Sequence, residues 1–331
     1  MQLLECTIRE ANYVVDFHWA EHEVNDIVRE LAHAGFKYIE IGHGLGLGAY
    51  RTQAPDLYED HTYTISAVEN KGNALIGAFF IPGIGSKDDI RSFRKDGGEF
   101  IRIGTNVSQS ERALEYIEYA KSIDLEVSFN FMKSYAASPA SLSRRAKDVA
   151  HAGVDIIYIV DSAGGMVPGQ VKRYIEALKD TVDTRIGFHG HNNLLLANAN
   201  NLAAVESGAS IVDTTLVGIG RSGGNAPTAS MLVALHRSGY STSIDPLRVA
   251  NIGERLVRSR SEGWKESNER ELISGCAMLH SSFLECIDKY VVKCGVDFSD
   301  LVIAVANIDK ENPSEELVRT EAIKLSGMRG C

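Results

Sequence analysis

Apolar residues along this chain follow two alternating rhythms. Short runs rich in β-branched and aromatic residues recur about every thirty residues, each followed by a stretch whose apolar positions fall three or four apart. Eight runs stand out: Leu3–Ile8, Lys37–Ile41, Ala74–Phe80, Phe100–Ile103, Val127–Phe131, Asp155–Val160, Arg185–Phe188 and Ile211–Thr215. Helical patterns lie between them, as in Glu23–Ala34, Ser110–Ile123 and Ser141–Ala152. Repeated strand–helix units build a parallel sheet, and eight of them close a (β/α)8 TIM barrel, which typically uses about 250 residues. After residue 240 the strand rhythm stops. Helical patterns then cover Pro246–Arg258, Glu269–Lys293, Ser299–Val305 and Glu315–Leu325, so the expected organisation is a barrel over residues 1–240 and a C-terminal helical domain over 241–331.

A barrel of this type places its active site where strands end and loops begin. Here those positions are polar nearly all the way round: Arg9-Glu10-Ala11-Asn12, Gly42-His43-Gly44, Thr105-Asn106, Lys133-Ser134, Asp161-Ser162, His189-Gly190-His191-Asn192 and residues 218–225. A doubly wound open sheet would gather its ligand groups at one switch point. The even spread favours closure.

Composition narrows the function. Hydrophobic residues make up 44% and charged residues 24%, enough for a substantial core, and the formal net charge of -10 argues against nucleic acid or an anionic membrane surface as partner. A small-molecule substrate fits better. MQLLECTIREANY enters a strand-like run at once, without a basic region and long apolar stretch, so no signal peptide is expected. No segment supplies the roughly twenty apolar residues of a membrane span. Cys6, Cys276, Cys286, Cys294 and Cys331 are scattered without CxxC spacing, which suits a reducing cytoplasm and argues against zinc-cysteine chemistry.

His189 and His191 alternate along an extended segment, so both imidazoles point to one side, into the barrel mouth. Two neutral imidazoles and a carboxylate make a divalent-metal site, and Glu10 is the expected third ligand. The alternative is a hydrogen-bonded histidine pair near a loop. Arg9 beside the metal would hold negative charge developing on an enolate oxygen, or else would simply pair with Glu10 or Glu5. The loop Gly218-Ile219-Gly220-Arg221-Ser222-Gly223-Gly224-Asn225 reads as a phosphate cradle or as a tight glycine turn, and it lacks the GK[ST] ending of a P-loop. Asn225 offers an amide oxygen to a hard cation in either case.

These motifs together resemble the metal-dependent pyruvate aldolases of the 4-hydroxy-2-oxovalerate aldolase family, within the wider group containing HMG-CoA lyase and isopropylmalate synthase. The resemblance rests on CTIRE at 6–10, IEIGHG at 39–44, IPGIGS at 81–86, VDSAGGM at 160–166, FHGHNN at 188–193, GIGRSGGNAP at 218–227 and HSSF at 280–283. It implies metal ligation by His189, His191 and Glu10, with Asn225 as in the lyase branch, Mn²⁺ or Mg²⁺ as the metal, and enolate stabilisation by Arg9. Three departures stand out. Glutamate replaces the aspartate of the family's RD pair. Tyr13 stands where the aldolases carry a catalytic histidine, while His280 stands where they carry the tyrosine before SSF, as if phenol and imidazole had exchanged places. Asn307-Ile308-Asp309-Lys310-Glu311-Asn312-Pro313 replaces a glycine-rich segment, which makes an aldehyde dehydrogenase partner doubtful; a homo-oligomer is expected.

The expected reaction is aldol chemistry between a pyruvate enolate and an aldehyde, on the 4-hydroxy-2-oxo acid class. His280 is the preferred base because its ordinary pKa lies near neutrality, with Tyr13 orienting or relaying. Thr105, Lys133 and Ser134 are candidates for the substrate carboxylate, and Phe79 and Ile81 for the aldehyde pocket. Two rivals are a Claisen-type condensation of an acyl-CoA with a 2-oxo acid, which would need a basic site for the CoA phosphates, and a catalytically silent scaffold.

Overall fold

The computed structural model describes residues 1–53, 59–264 and 266–327; Cys331 lies outside them. Eight parallel strands close into a barrel: β1 (Gln2–Glu5), β2 (Tyr38–Ile41), β3 (Leu75–Phe80), β4 (Phe100–Asn106), β5 (Glu126–Met132), β6 (Ile156–Asp161), β7 (Arg185–Gly190) and β8 (Ile211–Thr214). Each pairs with the next, and β8 returns to β1 in a register running from Ile211 opposite Gln2 to Thr214 opposite Glu5. The expected (β/α)8 TIM barrel is therefore the observed fold.

Helices form where the apolar spacing places them. Glu21–Ala34 buries Val24, Ile27, Val28 and Leu31, three or four apart, against the barrel. Its first turn is closed by the Glu23 carboxylate, which accepts from the Ala20 N–H at 2.8 Å. Pro139–His151 starts with Ser138 accepting from the Ser141 N–H and a proline at the first position. The predicted helix Ser110–Ile123 is instead a 3-10 segment, Val107–Ala113, followed by the α-helix Leu114–Ser122.

The first strand is shorter than its apolar run. The Glu5 carboxylate accepts from both the N–H (2.9 Å) and the hydroxyl (2.8 Å) of Thr7, turning the chain into a helical turn, Thr7–Ala11. Arg9 and Glu10 thus project from a buried helical turn above β1 rather than from a strand end.

The helix Pro246–Leu256, which a boundary at 240 assigns to the C-terminal part, packs on the barrel through Val249 and Ile252. A separate apolar cluster begins at Leu279 and gathers Ile287, Leu301, Val302, Val305 and Val318. The helix expected over Glu269–Lys293 is broken. It ends at Ala277, where Met278 adopts a left-handed conformation (φ 56°), and resumes as Ser281–Phe283 and Leu284–Cys294. The C-terminal helices dock over the barrel mouth: Asn193 donates to the Glu271 carbonyl (3.1 Å), Ser267 to the Asn193 carbonyl (3.0 Å), and Lys133 to the Glu311 carbonyl. Among the described residues, no helix is long and apolar enough to cross a membrane.

Candidate active site

Inside the barrel, charge is arranged as a closed circuit. Arg9 Nη1 lies 2.6 Å from Glu10 Oε1 and its Nε donates to Glu40 Oε2 at 2.7 Å. Arg102 donates to Glu40 at 2.9 Å and to Asp213. Asp213 in turn lies 2.8 Å from His189 Nδ1, and His189 Nε2 lies 3.6 Å from Glu10 Oε1. All six residues are buried, so each charge is held by its neighbours and not by water. Three carboxylates face two guanidinium groups, which leaves the circuit short of positive charge.

That shortfall falls where a cation fits. Glu10, His189 and His191 each offer a donor atom, all within 4.8 Å of one another. His191 Nδ1 and Asn225 Oδ1 are buried without a partner, and Asn225 Nδ2 lies 3.4 Å from His189 Nε2. Buried polar atoms with nothing to bond are costly, and a cation would satisfy them. The protonation states suit ligation. Burial pushes His191 down to about 4 against the pull of Glu10, so its ring is neutral. Burial would raise Glu10, but Arg9, His191 and His189 outweigh it and hold the carboxylate at about 2. Asp213, accepting from His189 Nδ1–H, leaves Nε2 as the lone-pair nitrogen on the Glu10 side.

The glycine-rich loop serves this cluster by close packing. Gly224 N–H donates to the Arg221 carbonyl (3.0 Å), Asn225 N–H to the Gly218 carbonyl (2.9 Å) and Gly223 N–H to Asn193 Oδ1 (3.4 Å). A Cβ on Gly220 would stand 2.0 Å from Asn225 Oδ1 and 3.4 Å from Glu10 Cβ, so only glycine lets the loop approach. The tight-turn reading is the one observed.

A cavity of about 100 Å³ opens above the cluster. Arg9, Glu10, His189, His191, Tyr13, His280, Phe79 and Ile81 line it, so Tyr13 and His280 enter one site from opposite ends of the sequence. Tyr13 is seated against Gly44, where a Cβ would lie 2.5 Å from its ring. Burial pushes its phenol above the ordinary value of 10. His280 caps the turn Ser281–Phe283; its Nδ1 accepts from the Ser282 N–H (3.3 Å) and lies 2.7 Å from the Ser282 hydroxyl. Burial first, then Arg221, Lys133 and His191, hold its pKa well below the ordinary 6.5.

The three residues expected to hold the substrate carboxylate are placed elsewhere. Arg102 points into the barrel, so by alternation along β4 Thr105 points out of it, and its hydroxyl donates to the Asn106 carbonyl (3.2 Å). Ser134 is fully buried; its hydroxyl donates to the Phe131 carbonyl (2.7 Å) and accepts from the Val160 N–H (3.1 Å). The Lys133 ammonium is committed to the Glu311 carbonyl and the face of Phe283, 4.8 Å away, and burial lowers it to about 8. Asn130, Met132, Ser162 and Arg221, unassigned from sequence, line the cavity instead.

A buried carboxylate, two histidines and an arginine at the mouth of a TIM barrel define a class of barrel enzymes with room for a cation and a small substrate. A profile of the HMGL-like family matches residues 1–256. Over 330 residues the chain is 30% identical to a protein of Bacillus thuringiensis (strain Al Hakam) named 4-hydroxy-2-oxovalerate aldolase, covering 99% of this chain and 97% of the relative. It is 34% identical over 303 residues to a protein of Mycobacterium tuberculosis (strain ATCC 25618 / H37Rv) named oxaloacetate decarboxylase, covering 91% of this chain and 89% of the relative. The carboxyl transferase domain of Rhizobium etli pyruvate carboxylase shares the fold, with a TM-score of 0.81 at 16% identity over 99% of this chain and 60% of that one. The chain belongs to the HMGL-like family and is an enzyme of the carbon–carbon lyase class found there. The silent-scaffold expectation is thereby set aside.

Proposed function

We propose that this enzyme is a divalent-metal-dependent aldolase that makes or cleaves the C–C bond between a pyruvate enolate and an aldehyde, with 4-hydroxy-2-oxo acids as the cleaved substrates. The observation that carries this reading is the meeting of Glu10, His189, His191, Arg9, Tyr13 and His280 in one cavity.

Glu10, His189, His191 and Asn225 would hold the cation, and their oxygen and nitrogen donors suit Mn²⁺ or Mg²⁺. When bound, it supplies Lewis acidity to the 2-oxo acid. Arg9, fixed by Glu10 and Glu40, presents its charge to the enolate oxygen that forms as the C–C bond breaks. His280, neutral at physiological pH, takes the proton of the 4-hydroxyl. Nε2 can take that proton only in the tautomer whose ring hydrogen sits on Nδ1 and is accepted by the Ser282 hydroxyl, which gives up the bond from the Ser282 N–H; while Nδ1 accepts from Ser282, Nε2 carries the ring hydrogen and is a donor. Tyr13, held as the neutral phenol, orients the hydroxyl.

A second reading is supported by the relative named oxaloacetate decarboxylase. Loss of CO₂ from a 2-oxo acid with a carboxylate on C3, as in oxaloacetate, gives the same enolate and needs no base at a 4-hydroxyl. The Claisen reading gains nothing from the cavity: among the described residues its lining holds only Arg9 and Arg221 as cations, too few for the CoA phosphates. Pyruvate release from 4-hydroxy-2-oxopentanoate, from 4-hydroxy-2-oxoglutarate and from oxaloacetate, by chelated protein before and after Mn²⁺ is added back, tests both. Turnover of none of the three with metal present overturns the proposal, and turnover of oxaloacetate alone selects the second reading.

A further inference from the structure

The glycine-rich loop brings one side chain into the cavity that the proposed aldol chemistry does not use. Arg221 lines the inner cavity together with His280 and Tyr13, and it also lines an outer cleft of about 540 Å³ whose other wall is formed by Glu262, Trp264, Arg270 and Glu271. Arg221 and Tyr13 are thus the shared wall where the small inner chamber opens outward. The guanidinium stacks over the Tyr13 ring at 4.8 Å, and its Nε donates to Ser281 Oγ at 3.2 Å. These two contacts fix the plane of the group from below and from the side.

Neither contact neutralises it. Among the described residues, the charged partners of every other cavity-lining cation are visible: Arg9 has Glu10 and Glu40. Arg221 is partly buried, and no described carboxylate lies within ion-pair distance of it. The only carboxylate among the described lining residues of the inner cavity is Glu10, which Arg9 already holds at 2.6 Å. Arg270, across the outer cleft, is likewise spoken for, by Asp288 at 2.7 Å. A positioned, partly desolvated guanidinium without a carboxylate partner among the described residues, set where the inner chamber opens into the outer cleft, is the arrangement that recognises an anionic group on a ligand extending outward.

We infer that the substrate carries an anionic group, a carboxylate or a phosphate ester, on the side of the scissile bond away from the 2-oxo acid, and that Arg221 binds it. The 2-oxo acid head lies at Glu10, His189, His191 and Arg9, and the tail runs past His280 and Tyr13 to Arg221. The aldehyde released or consumed is therefore itself an anion, and Arg221 sets specificity and is not a catalytic residue. This rests on reading the cavity as a 2-oxo acid site.

Two five-carbon 2-oxo acids without a 4-hydroxyl, and so not cleavable, isolate the tail: 2-oxoglutarate ends in a carboxylate and 2-oxopentanoate in a methyl. In calorimetric titrations of the Mn²⁺-loaded full chain, 2-oxoglutarate is expected to bind roughly ten- to a hundredfold more tightly, the range of a charge-assisted hydrogen-bonded pair. Arg221→Leu should weaken 2-oxoglutarate alone and erase the difference, and Arg221→Lys should restore part of it. Adding 2-oxo-4-phosphonobutanoate separates the two anions: binding tighter than 2-oxoglutarate assigns a phosphate tail, weaker binding a carboxylate. Equal affinity of wild-type protein for the first pair, or a preference that persists in Arg221→Leu, overturns the inference. An Arg221-dependent preference without any pyruvate release from 4-hydroxy-2-oxo acids would count against the aldol reading alone.

Discussion

His189 Nδ1 lies 2.8 Å from Asp213 Oδ2, between the end of β7 and the end of β8. The carboxylate fixes the tautomer of a proposed metal ligand and is itself held by Arg102. Asp213→Asn is expected to lower Mn²⁺ affinity ten- to a hundredfold, the usual cost of losing such an outer partner. It should also destabilise the fold, because Arg102 loses one of its buried counter-charges. Metal titration by electron paramagnetic resonance reads the first effect and a thermal melt the second; unchanged Mn²⁺ affinity would remove Asp213 from the site.

Gly220→Ala tests the close approach of the loop. The new methyl would overlap Asn225 Oδ1 at 2.0 Å, so the side-chain amide must move away from His189. The expected result is a folded protein with weakened metal binding and a turnover at least tenfold lower at fixed Mn²⁺. Wild-type metal affinity in this variant would show that Asn225 does not contribute.

Acid should loosen the metal-free protein in two stages. His191 is held at about 4 by burial against an ordinary 6.5, so its contribution is complete above 6.5 and is lost as pH falls to about 4. Glu10 is held at about 2, chiefly by Arg9 and the two histidines against burial, so its contribution is complete above 4.5 and is lost between 4.5 and 2. Each is worth of order 3 kcal/mol. Urea midpoints measured with chelator at pH 7, 5.5 and 4.5 should fall steadily, and His191→Asn should flatten the upper part of that decline. An identical pH profile for the variant would mean that His191 titrates normally.

Tyr13 and His280 can be told apart by what their loss leaves intact. His280→Ala is expected to cut aldol cleavage by about 10² to 10⁴ while preserving Mn²⁺ content, the range of a lost proton-transfer group. Tyr13→Phe removes only a hydroxyl and should cost about tenfold. If oxaloacetate is also a substrate, His280→Ala should spare its decarboxylation. Equal losses in both reactions would place His280 in binding rather than in proton transfer.

The barrel was legible because its signal is periodic and repeated eight times, with strand ends misplaced by only a few residues. The Thr7–Ala11 turn was not, since Ile8 continues the apolar run of β1 and only the Glu5 carboxylate, reaching forward to Thr7, bends the chain. His189, His191 and Glu10 could be brought together in advance because the barrel fixes which strand ends meet. Lys133 and Ser134 were misdirected by the same rule: a polar residue after a strand faces the mouth only if the loop lets it, and Lys133 sits in a left-handed turn that sends its ammonium to the C-terminal helices. Glu40, Arg102 and Asp213 left a usable signal, since each is a charge in the middle of an apolar strand and so demands an opposite charge across the barrel. The helix break at Met278 left none in the apolar spacing, and only the resemblance at HSSF directed His280 to the site, where the structure has it lining the cavity.

The two halves of this site have different owners. The carboxylate–histidine cluster and Arg9 sit on the barrel, at the end of β7 and on the Thr7–Ala11 turn above β1, and are locked by the buried circuit of charges, whereas His280 arrives from the C-terminal helices, held through contacts such as Lys133 with Glu311. Such a division lets heredity treat them separately. On the proposed chemistry the barrel half makes the enolate and the cap decides whether it meets an aldehyde or a proton, so the cap can change without rebuilding the barrel.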